Sequence, residues 1–245
     1  MLHSRLFYVY GIIFISMDKF QAQSEKDRRL LLHTADDIAA EFQMLRQEIQ
    51  SLQANFTTEL ATLKDRGSTY IRWGRTICPG NGTDKVYSGY TAGSPFNVGG
   101  GAASFVCLPD DPTWSTYKDG IQNYGGYISG SEYEGSFLPF SQNMVDEDAP
   151  CVLCHNSRSV TIMIPGRMNC YPGWSLEYTG YLMTGHYTQG AATDYACVDS
   201  NPEAVFHGEA NMNGKLLYMT EVNCGSLPCQ EYPNGRELAC VVCSK

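Results

Sequence analysis

At 245 residues the chain can bury a sizeable core, either as one large domain or as two modest ones. It carries 26 acidic against 17 basic side chains, a formal net charge of −9, and has no run of Lys or Arg. That balance argues against nucleic acid, heparin or another polyanion as a partner.

The first 23 residues read as a secretory signal peptide: Arg5 gives a positive start, 6–17 an apolar stretch, and Asp18-Lys19 ends it. The apolar stretch is shorter than the about 20 residues a spanning helix needs. Cleavage is expected near Ala22, although Phe20-x-Ala22 is a poor small-x-small site; the alternative is an uncleaved N-terminal anchor. No later stretch is long and apolar enough to span a bilayer, so the expected location is secreted and extracellular.

Residues 24–66 contain many Glu, Gln, Leu and Arg, and no Pro or Cys. Leu31, Ala35, Ile38, Phe42, Leu45, Ile49, Leu52 and Phe56 recur in alternating steps of four and three, the seam of a coiled coil. Strict continuation would place Glu59 in the core; a stutter to Leu60 and Leu63 restores an apolar seam. At ~1.5 Å per residue the stalk would be about 57 Å long. The alternative is an amphipathic helix packed on the next domain. Asn55-Phe56-Thr57 is an N-glycosylation sequon within this helix, and Asn81-Gly82-Thr83 is another in a Gly-containing loop.

Gly67-Ser68 ends the helical pattern, and the composition turns to Gly, Tyr, Thr, Ser and Val. Alternating apolar stretches at 159–164 and 215–222 predict strands, the second buried on both faces. Pro79-Gly80, Gly125-Gly126, Pro172-Gly173, Asn213-Gly214 and Asn234-Gly235 mark turns between such strands.

All ten cysteines lie in this part, an even count that behind a signal peptide reads as a disulfide framework. The part is also an internal duplication. One copy runs Gly74-Arg75-x-x-Cys78, Tyr87-Ser88-Gly89-Tyr90, Gly100-x-Ala102-x-x-Phe105-x-Cys107 and Cys151-Val152-Leu153-Cys154. The next runs Gly166-Arg167-x-x-Cys170, Tyr178-Thr179-Gly180-Tyr181, Gly190-x-Ala192-x-x-Tyr195-x-Cys197 and Cys240-Val241-Val242-Cys243. Two copies are too few for a solenoid and predict two fused, pseudo-symmetric subdomains, at 67–158 and 159–245. Ten thiols can pair in ~945 ways, which equivalence of the copies reduces. Cys224 and Cys229 have no upstream counterpart and are most simply bonded to each other.

At these residues the chain resembles the C-terminal non-collagenous domain (the C4 domain) of type IV collagens, and especially the C4-like domains of invertebrate short-chain collagens. The motifs are Cys170-x-Pro172-x-Trp174-x-Leu176-x-x-x-Gly180-Tyr181, the Gly-x-Ala run before Cys197, and the closing Cys240 to Lys245. The resemblance covers about residues 69–245. It implies a mainly β fold of tandem disulfide-rich subdomains, with bonds Cys78–Cys154, Cys107–Cys151, Cys170–Cys243 and Cys197–Cys240. It also implies a homotrimer, with two trimers meeting head to head as a further option. The chain departs from the family in having no Gly-X-Y tract, so it cannot form a collagen triple helix. The coiled coil stands where the collagen would be.

No catalytic residue, metal ligand set or cofactor motif is predicted. The two Cys-x-x-Cys pairs close 86 residues apart, against the ~15–20 usual for zinc modules. A redox role would need a thiolate near a helix start. His33, His155, His186 and His207 share no ligand spacing, with His186 and His207 expected on loops. Asp110-Asp111 and Asp146-Glu147-Asp148 offer oxygens for a calcium ion, but solvated turns are the favoured reading, because the ligand alternation of calcium loops is missing. Trp174 matches a core position of the family, whereas Trp114, in Asp111-Pro112-Thr113-Trp114, is the best candidate for contact with a ligand. The expected role is structural or adhesive, not enzymatic, with matrix or cell-surface glycans as potential partners. A lectin-like recognition protein, binding through three weak sites, is the alternative.

Overall fold

The computed structural model describes residues 3–64, 67–80, 82–122 and 125–245, with side chains in the helical part described for 16–29 and 35–62. Asn81 lies outside the described residues, as do the side chains of Leu31, His33 and Leu63. Two compact units divide the chain at Leu63/Lys64.

The first unit is a single helix, α1 (His3–Lys64). It has no break at 23/24, where the targeting segment was expected to end, because no proline interrupts the backbone ladder from 3 to 64. Its apolar stripe is bare: Ile38, Phe42, Leu45, Ile49, Leu52, Phe56 and Leu60 are each between 49% and 64% exposed. Outside the stripe Met17, Phe20 and Met44 are also exposed, among polar residues with i, i+4 contacts such as Arg29–Glu25 at 3.3 Å.

Among the described residues, the second unit has ten strands. The first half supplies β1 (Ser68–Trp73), β2 (Thr83–Gly93), β3 (Val106–Pro109), β4 (Ser129–Tyr133) and β5 (Pro150–Asn156). The second half supplies β6 (Thr161–Pro165), β7 (Ser175–Thr184), β8 (Ala196–Asp199), β9 (Lys215–Met219) and β10 (Ala239–Ser244). Two of these strands, β6 and β9, overlie the stretches whose alternation predicted strands. Lys215, Leu216 and Leu217 are buried in succession, as expected of a strand covered on both faces.

The duplication is visible in the pairing. In the first half β5 pairs with β1 and β2, and β2 with β3 and β4. In the second half β10 pairs with β6 and β7, and β7 with β8 and β9. Register is repeated as well: Gly89 faces Cys151 and Gly180 faces Cys240, and each ladder then shifts at a bulge before its last cysteine. Gly89 and Gly180 are required by close approach. A Cβ on Gly89 would lie 1.8 Å from the Leu108 carbonyl oxygen, and one on Gly180 1.9 Å from that of Val198.

The two copies do not form separate subdomains. Their strands make one sheet, ordered β6-β10-β7-β8-β1-β5-β2-β4-β9, and β9 also pairs with β7. Parallel contacts join the halves, at β4–β9 and between Trp73 and Val198. Both apolar clusters are mixed. One joins Tyr70, Val152 and Cys154 to Tyr178, Leu182, Cys197, Cys240 and Val242; the other joins Phe105, Tyr133 and Met144 to Met183, Val198 and Leu217. Each half therefore leaves an apolar face that only the other half covers.

All ten cysteines are paired, as Cys78–Cys154, Cys107–Cys151, Cys170–Cys243, Cys197–Cys240 and Cys224–Cys229. This is the pairing implied by the resemblance, extended by the small loop. A framework of this density belongs in an oxidising compartment. Among the described residues, no helix is long and apolar enough to cross a membrane.

Candidate functional site

Strand β7 and the loop that follows it border two hollows in the surface. His186 stands just past the end of β7, and Tyr218 lies on β9 beside it because Thr184 and Tyr218 are partners in the β7–β9 ladder. Their rings meet edge to face at 5.2 Å, and the Tyr187 ring lies tilted against the imidazole at 4.4 Å. Thr188 N–H donates to His186 Nδ1 at 3.3 Å, and the Thr188 hydroxyl lies 2.9 Å from the same nitrogen.

Two hollows meet at this pair. The larger, about 670 Å³, is lined by Phe137, Tyr187, Tyr195 and Asn223 together with His186 and Tyr218. The smaller, about 460 Å³, is bordered by Phe96, Asn97 and Gln189 with the same two rings. Tyr187 is 91% exposed and Tyr195 61%, so their faces are open for stacking. Exposed rings beside amide side chains suit a flat, hydroxyl-rich ligand such as a sugar, with the ring face supplying apolar contact and the amides directional hydrogen bonds.

Acidic groups lie near Tyr218 without lining either hollow. Burial, followed by the charges of Glu134 and Asp146, pushes the Tyr218 hydroxyl above its usual range. Burial and then the neighbouring charges of Asp146 and Glu132 likewise raise the Glu134 carboxyl. Asp146 is half-buried and held at φ 65°, accepting a hydrogen bond from Asn211 at 2.8 Å. The solvated turn expected at 146–148 is thus partly enclosed, because an antiparallel bridge between Glu132 and Asp148 draws the loop against β4.

The other sequence candidates scatter. Trp114 is 77% exposed in the long connection from β3 to β4, where residues 110–122 are exposed throughout, and it borders neither hollow. Trp174 is half-buried where a core position was expected, since the turn that carries it lies at the rim of the sheet. His207 lies on a loop at φ 62°, and His155 is half-buried in β5. Asn55 is exposed on α1. Asp110 and Asp111 are exposed, with Asp110 accepting a weak 3.4 Å contact from Ser88. Sequence reasoning missed the His186–Tyr218 pair. They are 32 residues apart, share no motif, and meet only through the ladder.

A second polar centre is structural. Glu177, at the bulge of β7, accepts hydrogen bonds from Tyr70 (2.7 Å), Thr83 (3.3 Å), Arg158 (2.5 Å) and Ser244. Burial, then the hydrogen bond to Glu177 and its charge, pushes the Tyr70 hydroxyl well up, so it remains a donor. Arg72 and Asp199 make a second buried link between the halves at 2.7 Å. Arg75 and Glu203 make a third, more open one at 3.2 Å.

No family model matches the chain.

Proposed function

We propose that the protein is a secreted homotrimer, assembled by a coiled-coil stalk and a C4-like head, that acts as an extracellular structural or adhesion component. The observation that carries this reading is the bare apolar stripe of α1 from Ile38 to Phe56, which repeats at heptad spacing in water. A lone helix with such a stripe gains stability by burying it against copies of itself. The disulfide-stapled sheet, with its duplicated pairing, supports the C4-like reading of the head. It would present identical surfaces, so weak contacts to matrix or cell-surface glycans combine through avidity.

The test is mass in solution of the intact, disulfide-bonded protein and of a form lacking residues 24–66. The expected result is three chains for the intact protein. Three chains after the deletion as well would assign assembly to the head; one chain would assign it to the stalk. An intact particle of one chain sinks the proposal.

A soluble recognition protein is the second reading, favoured by the aromatic cleft at His186 and Tyr218. A glycan array decides it: binding lost on Tyr187→Ala or Tyr195→Ala supports that reading. An array without binders removes it.

A further inference from the structure

The acidic cluster behind Tyr218 contains a carboxylate that the protein itself leaves incompletely satisfied. Glu132 is 1% exposed, and its Oε1 accepts the Met212 N–H at 3.0 Å while the buried Oε2 has no hydrogen-bond partner. Glu134 and Asp146 stand beside it, and one oxygen from each of the three side chains lies within 4.8 Å of the others. Burying a carboxylate oxygen without a partner is costly, and placing two more carboxylates against it adds repulsion. A cation removes both penalties together. From this geometry we infer that Glu132, Glu134 and Asp146 form a calcium site.

The donor set is all oxygen and holds no imidazole or thiolate, which points to a hard cation and away from zinc. Within that class Ca²⁺ accepts irregular sets of carboxylate and carbonyl oxygens, whereas Mg²⁺ demands a near-ideal octahedron and usually keeps several waters. Two of the carboxylates are also aimed by neighbours on the 211–213 loop: the Met212 N–H holds Glu132, and the Asn211 amide holds Asp146.

The duplicate half provides an internal control. Its bridge Glu221–Glu237 matches Glu132–Asp148, and its bond from the Gly235 N–H to the Val222 carbonyl matches that from Asp146 to Tyr133. By this correspondence Glu132, Glu134 and Asp146 fall on Glu221, Asn223 and Gly235. One carboxylate remains of three. The turn has the same left-handed backbone in both halves, φ 65° at Asp146 and 74° at Gly235, but only the first half places a charged residue there. The site belongs to one copy and does not depend on assembly.

The experiment uses the full, disulfide-bonded protein. Terbium luminescence sensitised by tyrosine is measured with Ca²⁺ as competitor, alongside thermal unfolding in millimolar Ca²⁺, in equal Mg²⁺ and in EDTA. Affinities of extracellular calcium modules, roughly 10⁻⁴–10⁻³ M, predict displacement of terbium by millimolar Ca²⁺. They also predict a rise in the unfolding midpoint of about 2 °C or more over EDTA, with less from Mg²⁺. Asp146→Gly, which supplies the residue the backbone favours, keeps the fold and loses both signals; Glu132→Gln loses them too. Equal midpoints in Ca²⁺ and EDTA without terbium binding, or signals undiminished in Asp146→Gly, overturn the inference.

Discussion

The two halves of the β unit share a backbone plan and differ in what they place upon it. Each has five strands paired in the same pattern, a glycine pressed against a carbonyl, and a tyrosine whose hydroxyl donates to the carbonyl of its second cysteine. That last bond is 2.9 Å from Tyr87 to Cys107 and 2.9 Å from Tyr178 to Cys197. The differences lie at the bulges and turns. Val86 occupies the first bulge and is 55% exposed, whereas Glu177 occupies the second and is buried. The first half gathers three carboxylates around its last turn, and the second has a short disulfide loop nearby. Positions that hold the backbone in register are thus the repeated ones, and positions whose side chains meet the other half or the cleft have diverged.

If that division is right, equivalent backbone positions must fail alike. Gly89→Ala and Gly180→Ala should be the most damaging pair, each costing at least about 4 kcal/mol, because the neighbour in the way is backbone and cannot turn aside. Chemical denaturation of both variants checks this. Tolerance at one site and collapse at the other would break the equivalence. Disulfides come next. Chain-entropy reasoning gives about 4 kcal/mol for each of Cys107–Cys151 and Cys197–Cys240, whose ends are 44 and 43 residues apart, and about 2 kcal/mol for Cys224–Cys229, 5 apart. Paired Cys→Ala variants should follow that order, with the first two indistinguishable in denaturation midpoint.

Much of this symmetry is legible in the sequence, because cysteine spacing and Tyr-x-Gly-Tyr motifs are local and survive duplication. The fusion of the copies is not. That Tyr70 reaches Glu177 and Arg72 reaches Asp199 depends on which apolar face meets which, and the one-dimensional pattern carries no such information. The acidic site is hidden for the same reason: Glu132 and Asp146 belong to different segments, and a strand-to-loop bridge brings them together. Trp114 shows the opposite error. Its loop-like context is legible, but exposure alone does not make a binding site.

The smallest of the expected effects concerns the divergent bulge. Burial alone would raise the Glu177 carboxyl, but hydrogen bonds from Ser244, Arg158 and Tyr70, and the Arg158 charge, hold it below the ordinary range. A carboxylate lowered on folding adds stability above its unfolded pKa, about 4.3 for Glu. That contribution is lost as pH falls through the lower, folded value. Glu177→Gln should therefore cost about 2 kcal/mol at neutral pH, where the charged acceptor is removed from Arg158. The deficit should shrink as both proteins are taken below pH 4, since the wild type then loses what the variant already lacks. Val86→Gln, at the exposed counterpart, should change neither the stability nor its pH dependence. A deficit for Glu177→Gln that stays constant from pH 7 to pH 3 would show that the two bulges differ in packing alone, and that the charge at the junction of the halves contributes nothing of its own.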